Sequence, residues 1–285
     1  MATNNLRYSS PMGIRLVSSP TDGTFSGERL SGRIAPGLAS EWQLESLGTP
    51  GLAFVDGLIT LLPDEGEAIL MKYAGRRSPR YGATGWRIGI AFEAPAAGPH
   101  DWLNDVVGIA HVEQDGDDLR FTVLELLGRK AGADAQPLSV EPLYQMRAAG
   151  SIGERHLVKS RVAMRYLTIA EEGVELHGRL NGRWPVGFAW GPHRCDATEQ
   201  LTALKHIEMR AGIVADNGEP LVQSYIGTVP RSVADRSPGA DISWITVATF
   251  EAPAEGPLAY LNEILAIGIG WAENNEAYYD YRIWL

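Results

Sequence analysis

The stretch densest in reactive side chains is LKHIEMRAGI, Leu204 to Ile213. On an extended strand successive side chains alternate faces, so His206, Glu208 and Arg210 share one side, and Lys205, Ile207 and Met209 share the other. An imidazole, a carboxylate and a guanidinium in a row suit proton transfer. Arg210 would keep Glu208 ionised as the main general base, and His206 is either an alternative base or the group that passes the proton on. Tyr225, a phenol further along, is a candidate proton donor, and with Arg210 a candidate holder of developing negative charge. A polar row on a strand also describes a solvated outer face. Ligand sites inside barrels gather a few polar groups among aromatic walls, and that favours the inward orientation here.

Aromatic residues supply the rest of the expected pocket. Trp190, Trp244 and Trp271 crowd the C-terminal half, with Tyr73 and Asp56 as substrate-binding candidates in the N-terminal half. Large rings are also the ordinary filling of a core. His193, His206 and Cys195 have no recognised ligand spacing, so no metal is expected. AIGIGW at residues 266–271 lacks the following helix that lets a glycine-rich loop hold phosphate. No cofactor is expected, and acid/base chemistry is the simplest remaining class.

These residues need elements to hold them, and the chain announces its elements by repetition. FEAPAAGPHDWLN runs from Phe92 to Asn104, and FEAPAEGPLAYLN from Phe250 to Asn262, an offset of 158 residues. Each follows an apolar strand, WRIGIAF or WITVATF, and proline then ends ladder pairing. Leu-Asn is expected to pack and cap the corner. Two further pairs repeat: RLSGRI (Arg29 to Ile34) with ELHGRL (Glu175 to Leu180), and DEGEAILMKYAG (Asp64 to Gly75) with DNGEPLVQSYIG (Asp216 to Gly227). The second places Tyr73 and Tyr225 alike. By the same alignment Asp56 stands where Glu208 stands, but without the flanking His and Arg. The C-terminal copy is therefore the better catalytic candidate.

Many short alternating runs separated by Gly, Pro and Asp predict an all-β chain of sandwich or barrel units. The Gly-Arg-Ile, Asp-x-Gly, FEAP…WLN and FEAP…YLN signals resemble the bacterial and fungal domain-of-unknown-function family numbered 3237, once in each half. That resemblance implies two similar antiparallel β-barrels in tandem, of the lipocalin or allene-oxide-cyclase kind, and some fungal members of the family look like chalcone isomerases. The expected division is an arm over 1–26, a first barrel over 27–128, a linker over 129–155 and a second barrel over 156–285. The family pattern carries acid-x-Arg on the strand of Glu208 and Arg210, and the N-terminal copy keeps only Asp56.

A net charge of −10 argues against a nucleic-acid partner. No run approaches membrane-span length, so no membrane partner is expected either. The single cysteine, Cys195, fits a reducing cytoplasm. The expected function is a cofactor-independent isomerase, cyclase or lyase acting on a hydrophobic, aromatic or phenolic small molecule, with homodimerisation left open. The alternative is a barrel that binds such a ligand or a protein partner and does no chemistry.

Overall fold

Alternation decides the first layer of structure. In WRIGIAF, Trp86, Ile88, Ile90 and Phe92 all point inward and are buried, while Arg87 and Ala91 between them are partly exposed. The same period of two recurs along Ala53–Pro63 and Ile69–Arg77. The computed structural model describes all residues except 11–12, 83–84, 128–134, 149–154, 159–163, 169–173, 186–188, 195–204, 230–242 and 274–275. It divides into two units, Met1–Glu125 and Leu126–Leu285. Each is an antiparallel β-barrel.

The first unit comprises β1 (Ala2–Ser10), β2 (Gly13–Asp22), β3 (Thr24–Ser26), β4 (Ser31–Glu45), β5 (Ala53–Pro63), β6 (Ile69–Arg77), β7 (Gly85–Glu93), β8 (Val107–Asp115) and β9 (Asp118–Glu125). Its order is β2-β1-β9-β8-β7-β6-β5-β4, and pairing of β4 with β2 closes a ring of eight strands. Strand β4 does not stop at Pro36-Gly37. A register shift between Ile34 and Ala39 bends it there, and its two halves pair with β3 and β2 in turn. Proline is tolerated because the bulge removes it from the ladder.

The second unit comprises β10 (Val140–Ala148), β11 (Arg155–Val158), β12 (Met164–Thr168), β13 (Val174–Gly178), β14 (Gly182–Trp184), β15 (Ala189–Arg194), β16 (Lys205–Ala215), β17 (Pro220–Val229), β18 (Ser243–Glu251), β19 (Leu265–Glu273) and β20 (Glu276–Trp284). Strands β10, β13, β14, β16, β17, β18, β19 and β20 form a second ring, closed by β16 against β17. Strand β15 shares the edge of β16 with β14, and β12 and β11 extend the sheet beyond it.

Two expected boundaries fall. Residues 1–26 are not an arm: they form β1 to β3, and β1 and β2 complete the ring. The expected linker contains β10, which pairs with both β20 and β13. Closure is the physical reason, since a barrel short of a strand exposes two unpaired edges. The repeated corner, in contrast, folds as its sequence suggests. A short 3₁₀ helix follows each FEAP, Asp101–Asp105 and Ala259–Glu263, with Leu103 and Leu261 buried. Asn104 Oδ1 accepts from the Ala94 N–H at 2.8 Å, and its Nδ2 donates to the Ala94 carbonyl at 3.0 Å. Asn262 does the same with Ala252, at 2.9 and 3.0 Å. The amide thus satisfies both backbone groups of a residue that proline has removed from the ladder. Among the described residues no helix is long and apolar enough to cross a membrane.

Candidate functional site

A buried carboxylate lies inside the first barrel, on a strand whose pattern points the other way. In SEWQLE of β4, Trp42 is 44% exposed while Glu41 and Gln43 are only 3% and 1% exposed. The register explains the pairing of this acid. Glu41, Gly57 and Tyr73 are consecutive cross-strand partners on β4, β5 and β6. A Cβ on Gly57 would stand 2.1 Å from Tyr73 Cζ, so glycine alone lets the ring lie across β5. The Tyr73 hydroxyl thereby reaches Glu41 Oε2 at 2.7 Å. Gln43 Nε2 donates to Glu41 Oε1 at 2.7 Å, and Gln43 Oε1 has no hydrogen-bond partner.

Burial raises the Glu41 carboxyl above its ordinary range, against the opposing pull of the Tyr73 and Gln43 hydrogen bonds and the Arg77 charge. Burial, then the charge of Glu41, pushes the Tyr73 phenol well above its own. A proton is thus easily held at this pair and is lost only reluctantly.

One residue pair further toward the Ile34 end, the barrel opens into a cavity of ≈ 870 Å³. Ile59, Met71, Phe92 and Phe121 line it, and Trp102 stands at its rim. Phe121 also meets the Tyr73 ring edge-on at 5.5 Å, so this lining ring stands between the cavity and the Glu41–Tyr73 pair, neither of which lines it. At the rim Arg29 lies 3.8 Å over the Trp102 ring and pairs with Glu125 at 2.6 Å. The opposite end of the barrel carries an ion cluster: Glu45 takes Arg77 on one oxygen and Arg7 on the other, each at 2.6 Å. Burial raises the Glu45 carboxyl, but the two arginines outweigh it and hold the group below the usual range.

The two acids predict separate pH windows. Above the ordinary carboxylate value of 4.5, folded protein keeps a proton on Glu41 that unfolded chain has released. Stability therefore falls as pH rises from there to the raised pKa, and is level beyond it. The Glu45 contribution is present above 4.5 and is lost as pH falls below it. Thermal melts of Glu41→Gln against the native protein should show the variant gaining relative stability as pH climbs above 4.5. A difference that stays flat from about pH 4 to 8 would contradict this placement of the acid.

The C-terminal residues chosen from sequence do not assemble. On β16, Ile207 and Met209 are buried in the core and Arg210 is exposed, so His206, Glu208 and Arg210 face outward. The inward expectation is corrected: the apolar partners of the row, with Ala211 and Ile213, fill the interior better than the row itself. Tyr225 sits opposite Met209 and points inward, on the other face of the sheet from Glu208. Trp244 packs inside the second barrel, whereas Trp271 faces outward and stacks on Tyr278 at 5.5 Å. Asp56 is exposed on the outer face of β5. Trp190 pairs with Arg210 through β15, and its side chain lies outside the described residues, as does Cys195. Of the predicted residues only Tyr73 belongs to the acid-bearing site, and Glu41 and Gln43 were missed. Their only sequence signal was Gly57, the small residue that a recurring tyrosine must cross.

No protein-family model matches the chain, and no curated protein does. Among solved structures it is similar to a β-barrel-like protein from Acinetobacter baumannii AYE, at 16% identity over 53% of this chain and 99% of that one, with a TM-score of 0.42. A conserved protein of unknown function from Rhodopseudomonas palustris matches at 17% identity over 53% of this chain and 100% of its own, with a TM-score of 0.44. A protein of unknown function from Clostridium acetobutylicum ATCC 824 matches at 13% identity over 53% and 100%, with a TM-score of 0.43.

Proposed function

We propose that the N-terminal barrel takes up one small hydrophobic, aromatic molecule in the cavity above Glu41 and Tyr73. The supporting observation is the cavity itself: ≈ 870 Å³, walled by Ile59, Met71, Phe92 and Phe121 together with charged side chains that include Arg29, Glu113, Asp118 and Arg120. Pockets of this size and lining suit small organic ligands. N-phenyl-1-naphthylamine, a neutral aromatic probe, should bind saturably with one equivalent per chain. Met71→Trp, which fills the floor, should weaken that binding at least about tenfold. Absent saturation, or equal binding by the filled variant, would overturn the reading.

A second reading adds chemistry, and the Glu41–Tyr73 contact favours it. A protonatable acid and a phenol behind the Phe121 wall of the cavity suit a cofactor-independent isomerase, cyclase or lyase, provided a ligand displaces that ring, with Glu41 moving the proton and Tyr73 steadying developing negative charge. This relocates the expected chemistry from the C-terminal to the N-terminal barrel. The resemblance of each half to the domain family numbered 3237 is part of the same proposal. So are a reducing, cytoplasmic setting, drawn from the single cysteine, the absence of a nucleic-acid or membrane partner, and a homodimer as an open assembly.

A further inference from the structure

The wall of the first barrel parts on one side. At Ala2, β1 bridges β9 and β2, pairing with Asp118 on one and Asp22 on the other. The Met1 amino group donates to the Leu119 carbonyl at 3.0 Å, and the Leu119 N–H donates to the Met1 carbonyl at 2.9 Å. Leu119 is the last residue of β9 that β1 reaches. From Arg120 to Glu125, β9 pairs only with β8 among the described residues. Across the gap, β3 pairs only with β4. The Arg29–Glu125 ion pair, at 2.6 Å, joins the turn after β3 to the end of β9 and bounds the gap there.

Alternation decides what the two edges offer. Leu119 turns its N–H and C=O toward β1, so Phe121, Val123 and Glu125 turn theirs into the gap, while Arg120, Thr122 and Leu124 bond to β8. The Gly23 carbonyl accepts from the Ile34 N–H at 2.8 Å, so Thr24 and Ser26 on β3 also face the gap. Phe25 and Phe121 line the cavity from the two sides and pack against the first core beside Met1. Val123, inward by the same alternation as Phe121, is still 44% exposed. Both edges run on from partners of β1, so one strand position lies between them. Such free edges are a template for a further strand.

We propose that this gap is a strand-addition site for a partner protein's extended peptide of alternating apolar and basic residues, running in the direction of β1. Its backbone bonds Thr24 and Ser26 on one side and Phe121, Val123 and Glu125 on the other. Its apolar side chains turn inward, the first of them between Phe25 and Phe121, and extend the core already formed there. Its basic side chains turn outward, and the charges around the gap select them. Glu28, Asp115 and Asp118 stand there with Glu113, which faces Arg120 across the ladder, and Arg29 is taken up by Glu125. The net charge of −10 steers a basic segment the same way. The peptide completes the wall of the cavity rather than filling its volume, so the site does not rest on the small-molecule reading.

Acetyl-Val-Lys-Val-Lys-Val-amide is the probe, titrated calorimetrically into the full chain. It should bind saturably, the same peptide with Glu for Lys at least about tenfold more weakly, and the peptide N-methylated at its central Val not at all. Amide exchange followed by NMR should find Thr24, Phe121 and Val123 fast in the free chain and slowed by the peptide. Val123→Pro should abolish binding with little change in melting temperature, because that N–H faces the gap, whereas Thr122→Pro removes a bond to β8 and should melt markedly lower. No binding of the lysine peptide would overturn the proposal. So would equal binding of the N-methylated or glutamate peptide, slow exchange at Phe121 and Val123 in the free chain, or equal melting losses in the two proline variants. Failure of N-phenyl-1-naphthylamine to bind would leave all of these outcomes unaffected, since none is read through a cavity ligand.

Discussion

Phe250→Ala is expected to lower stability by roughly 3–5 kcal/mol, the range for deleting a fully buried aromatic side chain from a packed core. Phe250 is wholly buried at the end of β18, pairs across the ladder with Gln223, and meets the Tyr144 ring edge-on at 6.5 Å. Its neighbours are held by eight closed strands and by the Asn262 corner, so they have little freedom to collapse into the space. The residual cavity then adds to the lost transfer energy. Urea titration followed by tryptophan fluorescence measures the change, because Trp184 and Trp244 belong to or pack against the same core. A loss under about 1 kcal/mol would place Phe250 outside the packed core, at odds with its burial. The parallel substitution at Phe92 acts on the other core, where the residue is also buried and borders the N-terminal cavity.

Glu41→Gln is expected to reduce turnover of a cavity ligand by about a hundred- to ten-thousandfold, the usual contribution of a positioned acid or base, while leaving ligand affinity nearly unchanged. The substitution preserves shape and the Tyr73 contact but removes the titratable proton. Conversion of compounds that bind the cavity is followed by NMR, with affinity measured separately. Glu208→Gln is the control, since that side chain lies on the outer face of the second barrel, and it should leave turnover intact. Loss of turnover with Glu208→Gln but not with Glu41→Gln would move the chemistry back to the C-terminal unit. Ligand binding without turnover in the native protein would leave the N-terminal barrel as a binding module.

Local pattern and repetition in the sequence determined the class of fold. The alternation in WRIGIAF marks which side chains point inward, because a strand has only two faces, whereas WITVATF is buried on both. Phe-Glu-Ala-Pro followed by Leu-Asn fixes a corner, because proline vacates a ladder position and an asparagine ten residues on can bond both groups left behind. Those effects act over a few residues and are legible in order. Tertiary structure alone decided what the strands close upon. Residues 1–26 and β10 carry weak polar patterns, and only ring closure gives their backbones partners. It also decided the direction of the polar rows. His206, Glu208 and Arg210 face outward because Ile207, Met209 and Ala211 fill the second interior. Glu41 and Gln43 face inward, against the pattern of Trp42 and Leu44, because Gly57 and Tyr73 on the neighbouring strands provide a space and a hydroxyl to receive them. No single strand records which of its faces will meet such a partner, since that depends on residues brought alongside from other strands.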